Sequence, residues 1–377
     1  MRTESHKVEH LYVHVPFCAA KCHYCAFYSE AGRSDKMDDY VEAVLRELGQ
    51  FVAATDQHNR QLAPESIFFG GGTPSILPRR LMRQLLEGLQ HLVPTEHVCE
   101  WTFECNPSTV SAEKAKLFRE FGVNRISLGV QSLDEDTLRT IGRVHSIKAA
   151  VESYDKLRSA GFENINLDLM FGLPGQTLEQ WQATLRHAIQ LRPEHVSTYC
   201  LILEEDTHFW SLLQQGLIKP DEQLELEMYE LGIELLTAAG YRQYEVSNFA
   251  RSGRECRHNI AYWEGKDYIG LGPSACSTLE ARRWQNVPDI DCYIENLRSH
   301  QSVIGFEESL TSELRASERL AFGMRMNAGV PAELVQRRWD RQVAELLSAE
   351  LVQWTNNRLQ PTRRGILFAD EIAAHFV

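Results

Sequence analysis

Short apolar runs alternate with amphipathic stretches along the first two-thirds of the chain. Runs rich in β-branched and aromatic residues predict strands over residues 11–15, 66–69, 98–105, 125–130, 165–170 and 195–203. Between these runs, apolar residues recur with helical spacing and predict helices over residues 36–53, 78–91, 111–121, 147–160 and 178–191. Strands that alternate with helices in this way form a parallel sheet with crossover helices.

Polar residues stand at the ends of successive predicted strands. Each strand–helix unit spans about 30 residues, the length of a βαβ repeat. This spacing and the polar strand ends favour a curved, open barrel over a flat sheet. The predicted fold class is therefore α/β, with an open, partial (β/α)6 barrel of the TIM type. Because such barrels carry their chemistry at the carboxyl ends of the strands, a site is expected there.

The pattern changes after Leu203. The segments that follow are a helix, a strand, a glycine-rich turn and, at the carboxyl end, a last helix, over residues 222–239, 241–246, 268–274 and 370–376. Two helices beginning near residue 307 and a hairpin turning at 356–357 come before that last helix. We expect a barrel, an extension that closes its mouth, and a small helical or winged-helix-like domain, over residues 1–240, 241–300 and 301–377.

Composition and charge limit the classes of function. The chain has 377 residues, 43% hydrophobic and 24% charged, with a net charge of −13. Because no basic stripe offsets that charge, nucleic-acid binding is not expected. No apolar run approaches the roughly 18 residues of a membrane span, and the amino terminus has no apolar stretch to act as a signal peptide. Nine cysteines, an odd number, are typical of a reducing compartment, so we expect a cytoplasmic protein.

Three cysteines lie close together just after the first predicted strand. Cys18, Cys22 and Cys25 form a C-x3-C-x2-C array on a segment that Pro16 interrupts. A tetrahedral structural zinc site would need a fourth nearby cysteine or histidine. Three thiolates with an unfilled fourth position suit an iron–sulfur cluster with one open iron, which a ligand from outside the protein can bind. A zinc-binding adaptor protein is the alternative from another class.

The cysteine array resembles the loop of the radical S-adenosylmethionine (SAM) superfamily, which has an aromatic residue directly before its third cysteine. Here that residue is Tyr24. The segment GGGTP at residues 70–74 is similar to the glycine-rich motif of the superfamily, which lies along the methionine amino end of SAM. Glycines there let the backbone approach a charged ligand with no side chain in between. Taken alone, the segment is an ordinary strand-to-helix turn.

The chain is identified as a member of one family in that superfamily, the oxygen-independent coproporphyrinogen III oxidases and the HemW-type haem chaperones. The similarity rests on the segments YVHVPFC, FFGGGTPS, ECNP, RISLGVQS, IGRVH, NLDLMFGLPGQT and RHNIAYW, which occur in the family's order. The resemblance implies that a 4Fe–4S cluster is held by Cys18, Cys22 and Cys25. It also implies that SAM is bound by Tyr12, Tyr24, Gly71, Gly72, Thr73, Glu104, Gln131, Arg143 and Asp168.

The residue types at these positions fit that ligand. Glu104 and Asp168 can accept hydrogen bonds from ribose hydroxyls or the methionine ammonium group, and Arg143 can pair with the methionine carboxylate. Considered singly, each carboxylate is as well explained as a helix N-cap or a surface charge, and Gln131 alone carries no information. Their joint position at successive strand ends favours the ligand interpretation.

Two features bring the resemblance nearer to the haem chaperones than to the oxidases. The oxidases usually have a longer amino-terminal arm and a fourth cysteine two residues after the third, where this chain has Phe27. The chaperone branch carries an HNxxYW element, present here at residues 258–263. Its His258, flanked by aromatic residues, is suited to ligate haem iron. The alternative is that His258 is a buried, hydrogen-bonded core histidine.

One departure from the chaperone branch follows the third cysteine. Ala26 stands where the chaperones often have aspartate. This difference bears on the hydrogen bonding and potential of the cluster, and it leaves the cluster ligands unchanged.

The leading hypothesis is a cytoplasmic protein that binds a 4Fe–4S cluster, SAM and haem and delivers haem to an acceptor such as a respiratory haemoprotein. A small electron-transfer protein is a candidate reductant. The second hypothesis is an enzyme that oxidatively decarboxylates coproporphyrinogen III, turning propionates into the vinyl groups of protoporphyrinogen IX. Because both proteins would share every SAM-binding residue, those residues do not discriminate between them, and whether SAM is cleaved stays open.

Overall fold

The computed structural model describes residues 6–57 and 60–377. Among these residues the main element is a nine-stranded sheet of β1 (His6–Val15), β2 (Arg60–Gly71), β3 (Glu100–Cys105), β4 (Arg125–Gln131), β5 (Ile165–Phe171), β6 (His195–Cys200), β7 (Arg242–Gln243), β8 (Asn248–Ala250) and β9 (Ile269–Leu271). The strands lie in the order β9-β1-β2-β3-β4-β5-β6-β8-β7. Strands β1 to β6 are parallel neighbours in chain order, which confirms the predicted alternation of strands and helices.

Thirteen helices occur among the described residues; most connect the strands and cover the outer face of the sheet, and the last three belong to the carboxyl-terminal segment. They are α1 (Met37–Gln57), α2 (Arg79–Leu92), α3 (Ala112–Glu120), α4 (Glu135–Thr140), α5 (Ile147–Ser159), α6 (Leu178–Leu191), α7 (His208–Gln214), α8 (Glu222–Ala238), α9 (Arg257–Trp263), α10 (Ile290–Arg298), α11 (Ser312–Gly323), α12 (Asp340–Ser348) and α13 (Ala369–Ala374). The predicted helices are confirmed as α1, α2, α3, α5, α6, α8 and, at the carboxyl end, α13, with small shifts at their ends. The helices α4, α7, α9 and α10 were not predicted.

Polar residues at the turns set where the crossover helices begin. The hydroxyl oxygens of Ser111 and Ser146 each accept a backbone N–H from the first turn of α3 and α5. Thr177 does the same for α6, and the side chain of Gln180 bonds back to the Thr177 backbone, which completes a capping box. These caps fix the residue at which each crossover helix begins after its strand.

Side chains of the parallel strands alternate between an apolar outer face and a polar inner face. On β3, Trp101 and Phe103 belong to the hydrophobic core between the sheet and its helices. Glu100 and Glu104, on the opposite face, lie inside the barrel. The apolar residues therefore hold the helices, and the interior is left for polar groups.

Both edges of the sheet are extended by strands that the sequence pattern did not reveal. β7 and β8 replace the single strand predicted over 241–246, and β8 pairs antiparallel with β6. At the other edge, β9 lies within the predicted glycine-rich turn and pairs parallel with β1. Each of these strands has only two or three residues, too few for a period to be recognised. The division of the chain at residues 240 and 300 stays a prediction.

A second, antiparallel sheet consists of Cys276–Leu279, Arg282–Asn286 and Ile304–Ser309. It was not predicted, and the helix expected from about residue 307 begins only at Ser312. The strand Ile304–Ser309 is largely exposed, so it has no apolar alternation. It pairs antiparallel with Arg282–Asn286, and Arg282 and Arg283 form ion pairs with two of its glutamates.

The carboxyl-terminal segment packs around a hydrophobic cluster of its own, formed by α11, α12, α13 and a small sheet, with Leu320, Val343 and Leu359 among its members. The predicted hairpin is confirmed by the antiparallel pairing of Val352–Thr355 with Arg358–Pro361. Asn356 and Asn357 both have positive φ, 50° and 59°, as a two-residue type I′ turn requires. This segment is the small carboxyl-terminal domain expected from the sequence.

None of the helices within residues 6–57 and 60–377 is long and apolar enough to cross a membrane. The cytoplasmic location stays a prediction.

Candidate functional site

The three cysteines lie on the loop that follows β1, at the carboxyl ends of the parallel strands. All three thiols are partly exposed. The sulfur of Cys18 is 3.6 Å from the hydroxyl oxygen of Thr73, which follows β2. The sulfur of Cys22 is 3.5 Å from Nη1 of Arg143, which lies between α4 and α5. The cysteine loop (residues 16–29) is therefore in contact with predicted site residues from two other strand–helix units.

The glycine motif (residues 70–74) is packed tightly against the start of the cysteine loop. The backbone N–H groups of Gly72 and Thr73 donate to the carbonyl oxygens of Val15 and Phe17 at 2.9 and 2.8 Å. A Cβ atom on Gly72 would lie 2.7 Å from the carbonyl oxygen of Phe17, closer than real Cβ contacts come. Gly71 has φ +103°, which side-chain-bearing residues rarely adopt. The glycines thus join the two sequence motifs into one structural unit.

Tyr24, the aromatic residue before the third cysteine, anchors the cysteine loop to the barrel. Its ring packs against a small hydrophobic cluster that includes Leu138, Met170 and Phe209. The neighbouring His23 donates its backbone N–H to the carbonyl of Ile141 at 3.2 Å. Burial raises the pKa of the Tyr24 phenol, so the hydroxyl stays neutral.

Glu104 and Asp168 lie on the inner face of β3 and β5, near the strand ends. Neither is a helix N-cap, because Asn106 and Thr177 cap the elements that follow. Enclosure by protein raises the pKa of Glu104 to about 8, with the negative charge of Asp168 as the next cause. Enclosure also raises the pKa of Asp168, against hydrogen bonds donated by Ser127 and Asn166. Two enclosed carboxyl groups close enough to influence each other favour a ligand that brings positive charge or hydrogen-bond donors.

Gln131 and Arg143 have side-chain atoms that are buried without a partner. Oε1 of Gln131 and Nε of Arg143 make no hydrogen bond to any part of the chain that the structure describes. Gln131 has a φ of 66°, and the pairing register of β4 and β5 shifts between Gly129 and Gln131. This bulge turns the end of β4 and re-aims the Gln131 side chain. Because buried polar atoms are nearly always paired, these two indicate a polar ligand at the strand ends.

The donor set at the cysteine loop fits an iron–sulfur cluster. Thiolates are soft ligands that suit iron–sulfur centres. Burial raises the pKa of Cys25, and a bound metal would reverse that effect by holding the thiolate form. Within residues 6–57 and 60–377 no three His, Cys, Asp or Glu side chains converge on one metal ion. A cluster does not require such convergence, because each cysteine binds a different iron atom.

The predicted haem residue, His258, lies in the first turn of α9, far from the cysteine loop in the sequence. Glu100 at the start of β3 accepts the backbone N–H groups of Arg257 and His258 at 2.8 and 3.1 Å. The His258 ring stacks on Phe68, with centroids 5.1 Å apart, and its Nδ1 atom is 2.9 Å from the hydroxyl oxygen of Ser66. Burial lowers the pKa of His258 to about 3, so the imidazole is neutral.

The structure thus gathers the predicted residues in two places. The residues predicted to bind the cluster and SAM lie at the carboxyl ends of the strands. His258 contacts Ser66 and Glu100, which lie nearer the amino ends of their parallel strands than Gly70 and Glu104 do. Tyr12 lies between the two places: its ring is near Gly70, and its centroid is 6.4 Å from that of His258.

Sequence reasoning missed several polar residues inside the barrel. Ser127 and Asn166 both donate to the Asp168 carboxylate, and His195 in turn bonds to Asn166. Ser66 and His10 stand beside His258. A signal was present, because each of these residues occupies an inward position in a strand whose alternate residues are apolar, and polar inward positions imply a shared partner.

Comparison with known proteins identifies relatives over the whole chain. Residues 12–188 match the radical SAM superfamily, and residues 310–368 match the HemN C-terminal domain. The heme chaperone HemW of Bacillus subtilis is 35% identical over 376 residues, 97% of this chain and 98% of that protein. The heme chaperone HemW of Escherichia coli is 42% identical over 266 residues, 70% of this chain and 68% of that protein.

A solved structure shares the fold. Coproporphyrinogen III oxidase (HemN) from Escherichia coli, a radical SAM enzyme, matches with a TM-score of 0.83 and covers 99% of this chain and 90% of that chain. The sequence identity is 24%, so this likeness shows the fold alone. It confirms the predicted α/β barrel with an added carboxyl-terminal domain.

A radical SAM domain implies a 4Fe–4S cluster and SAM, and the thiols, glycine motif and unpaired polar atoms of this chain fit those groups. The relatives at 35% identity and above extend this agreement beyond the domain, since the Bacillus subtilis protein aligns with almost the entire chain. The chain therefore belongs to the radical SAM superfamily and, within it, to the family of the heme chaperone HemW proteins.

Proposed function

We propose that this protein binds haem and delivers it to an acceptor protein, such as a respiratory haemoprotein. The observation that carries this proposal is the identity of 35% to a protein named heme chaperone HemW across 97% of the chain and 98% of that relative. Because both the barrel and the carboxyl-terminal domain are included, the likeness reaches beyond the parts that any radical SAM protein shares.

The cluster is proposed to be held by Cys18, Cys22 and Cys25. Arg143 contributes a positive charge beside the Cys22 sulfur, at 3.5 Å. When bound, the cluster and SAM supply one-electron chemistry at the sulfonium, for which a small electron-transfer protein would be the reductant.

The residues at the strand ends are proposed to bind SAM by its polar groups. Backbone groups of Gly71, Gly72 and Thr73 would meet the methionine ammonium end, and the guanidinium of Arg143 would pair with the carboxylate. Glu104 and Asp168 would accept hydrogen bonds from the ribose hydroxyls or the ammonium group. The unpaired Oε1 of Gln131 would gain a donor, and the rings of Tyr12 and Tyr24 would bound the pocket.

Haem is proposed to bind at His258, whose imidazole nitrogen would hold the haem iron. A cleft beside it is lined by His10, His258, Ala261, Tyr262, Lys266 and Tyr268. Tyrosine rings can stack on a porphyrin, and the ammonium group of Lys266 can pair with a propionate. The side chain of Tyr262 is 42% exposed, which keeps it available to a ligand at the surface.

No specific observation favours the coproporphyrinogen III oxidase alternative. The chain shares the oxidase fold at 24% identity, and it has Phe27 where the oxidases usually carry a fourth cysteine. The cysteine, glycine and carboxylate positions are common to both functions and so give it no support.

The proposal is tested by haem transfer. Anaerobically reconstituted protein would be loaded with haem, freed of excess haem, and mixed with apomyoglobin as the acceptor. We expect a haem absorption band on loading and its conversion to the myoglobin spectrum after mixing. A protein that neither binds haem nor transfers it would overturn the proposal.

A further inference from the structure

Two histidines share one serine hydroxyl beside the proposed haem site. Nδ1 of His10 and Nδ1 of His258 each lie 2.9 Å from Oγ of Ser66. His10 and Ser66 are paired residues of the neighbouring strands β1 and β2, so the backbone fixes their separation. Ser66 is 1% exposed and His10 is 8% exposed, so water does not compete for these bonds.

One hydroxyl hydrogen decides the protonation of both rings. The imidazole form that binds iron is neutral, with a single N–H and one bare nitrogen. Ser66 can donate to only one Nδ1 atom and must accept from the other. The two histidines are therefore opposite tautomers: one has its hydrogen on Nδ1 and the other on Nε2.

The surroundings of the two rings differ, and the difference favours His258 as the one that binds a metal. Nε2 of His258 makes no hydrogen bond within the described residues, and His258 is partly exposed, whereas His10 is buried. Phe68 stacks on His258 at 5.1 Å, and His10 meets its edge at 6.2 Å, so the ring cannot turn freely. A ring held in this way presents one fixed nitrogen to a metal.

We propose that Ser66 is a positioning residue for haem ligation: it accepts the Nδ1–H of His258 and donates its own hydrogen to Nδ1 of His10, which leaves Nε2 of His258 bare to bind the haem iron. This inference rests on the proposed function. A histidine that ligates a metal through one nitrogen usually donates its other N–H to an oxygen, which orients the ring and increases its basicity. His10 makes Ser66 an acceptor by taking the serine hydrogen.

The test compares variants of the full chain carrying its reconstituted cluster. Haem is titrated into the wild type, Ser66→Ala, Ser66→Thr and His258→Ala. The iron–histidine stretching vibration of the ferrous haem complex is then recorded, because its frequency reports the hydrogen bond at Nδ1. Ser153→Ala is the matched control, since Ser153 is also a buried serine whose hydroxyl bonds within the protein, to the carbonyl of Pro107 at 2.6 Å.

The expected result is that Ser66→Ala weakens haem binding about 10- to 100-fold, the usual effect of losing such a partner. The iron–histidine frequency should fall in Ser66→Ala and recover in Ser66→Thr, while Ser153→Ala matches the wild type. Wild-type affinity and frequency in Ser66→Ala, with haem lost in His258→Ala, would overturn the inference and leave the proposed function standing. Wild-type spectra in His258→Ala would instead remove the proposed ligand itself.

A second variant covers the case in which Ser66→Ala does not fold. His10→Phe removes the group that takes the serine hydrogen, so the hydroxyl is free to donate to His258 and place the proton of that ring on Nε2. Haem affinity should then fall, by less than in Ser66→Ala. Unchanged affinity in folded His10→Phe would contradict the inference.

Discussion

Nδ1 of His195 lies 2.7 Å from Oδ1 of Asn166, inside the barrel and away from solvent. The amide of Asn166 donates to the hydroxyl of Ser127 and to the carboxylate of Asp168, both at 2.7 Å, so its oxygen must face His195. His195 is therefore protonated on Nδ1, and its Nε2 accepts from the hydroxyl of Tyr244 at 2.8 Å. In this series of hydrogen bonds, from Tyr244 through His195 and Asn166, each donor points toward Asp168.

This series of hydrogen bonds predicts that SAM binding at Asp168 is weakened when Asn166 is replaced. In Asn166→Ala the carboxylate loses a donor that stabilises its charged form, and a hydrogen bond to a charged group contributes about 1.5–3 kcal/mol. We expect the affinity for SAM, measured by equilibrium dialysis of the reconstituted protein, to fall about tenfold or more.

The matched control for that variant is Asn124→Ala. Asn124, which lies just before β4, also both accepts and donates: it accepts from the Trp101 backbone at 2.8 Å and donates to the Cys99 carbonyl at 3.0 Å. Its loss should lower the thermal stability and leave the affinity for SAM unchanged. Equal SAM affinities for wild type and Asn166→Ala would contradict the role assigned to Asp168.

The cysteine loop predicts which thiols carry iron. Replacement of Cys18, Cys22 or Cys25 by serine should remove most of the iron and inorganic sulfide bound after anaerobic reconstitution, because three thiolates are the proposed ligands. Cys292→Ser, at an exposed position in α10, should keep the wild-type content. Iron and sulfide analysis of the four variants decides the matter. Full content in Cys22→Ser would show that the cluster is held elsewhere.

The packing of the glycine motif predicts a steric effect on the cysteine loop. In Gly72→Ala the new Cβ would lie 2.7 Å from the Phe17 carbonyl oxygen, so the loop must move. We expect a loss of about 1–3 kcal/mol in the free energy of unfolding, as for overpacked sites, and weaker SAM binding.

Gly49→Ala is the control for that substitution. Gly49 lies inside α1, and a Cβ there would make only an ordinary contact of 3.9 Å with Leu92. Alanine should therefore raise the free energy of unfolding by about 0.5–1 kcal/mol. Chemical denaturation measures both variants. A neutral or stabilising Gly72→Ala would show that the two motifs are not packed together as described.

A buried carboxyl group predicts a pH dependence of stability. Glu47 accepts hydrogen bonds from Tyr293 at 2.6 Å, Asn286 at 2.7 Å and the Gly272 backbone at 2.8 Å. Burial nevertheless raises its pKa from 4.5 to about 7. Between these pH values the folded state holds a proton that the unfolded state has lost, so the free energy of unfolding falls as the pH rises through this window.

Glu47→Gln replaces the carboxyl group with an amide that does not titrate, so the contribution of Glu47 to the pH dependence of stability is lost. Relative to Glu47→Gln, the wild type should lose unfolding free energy as the pH rises from 4.5 to about 7, and the difference between the two proteins should be constant above that pH. Urea denaturation at several pH values measures this difference. A difference that is independent of pH across the window would show that the pKa of Glu47 is not raised.

The main sheet could be predicted because its strands are buried and long enough to show a pattern. The strand Ile165–Phe171, for example, is apolar on its outer face and is followed by a helix with a clear N-cap at Thr177, so propensity and packing agree. The edge strands β7 to β9 were not predicted, because two or three residues are too few to show an alternation of apolar and polar positions. The strand Ile304–Ser309 was not predicted because it is largely exposed and its pairing partners lie on another strand.

In the candidate site, too, some residues could be recognised from the sequence and others could not. Cys18, Cys22 and Cys25 are recognisable because their spacing is local in the sequence. The partners of His258 are not, since Ser66 lies 192 residues away and only the fold brings the two together. Asp168 was recognised as a polar residue near a strand end, whereas Asn166, in the same apolar strand, was missed. The directions of the hydrogen bonds between them follow only from the coordinates.

The measurement that tests the account most directly is a product assay on one anaerobic preparation. Protein reconstituted with its cluster is divided between coproporphyrinogen III, with SAM and a reductant, and haem followed by an apo-haemoprotein acceptor. The account predicts that no vinyl product forms in the first part and that haem passes to the acceptor in the second. Decarboxylation of coproporphyrinogen III, with no transfer of haem, would contradict it.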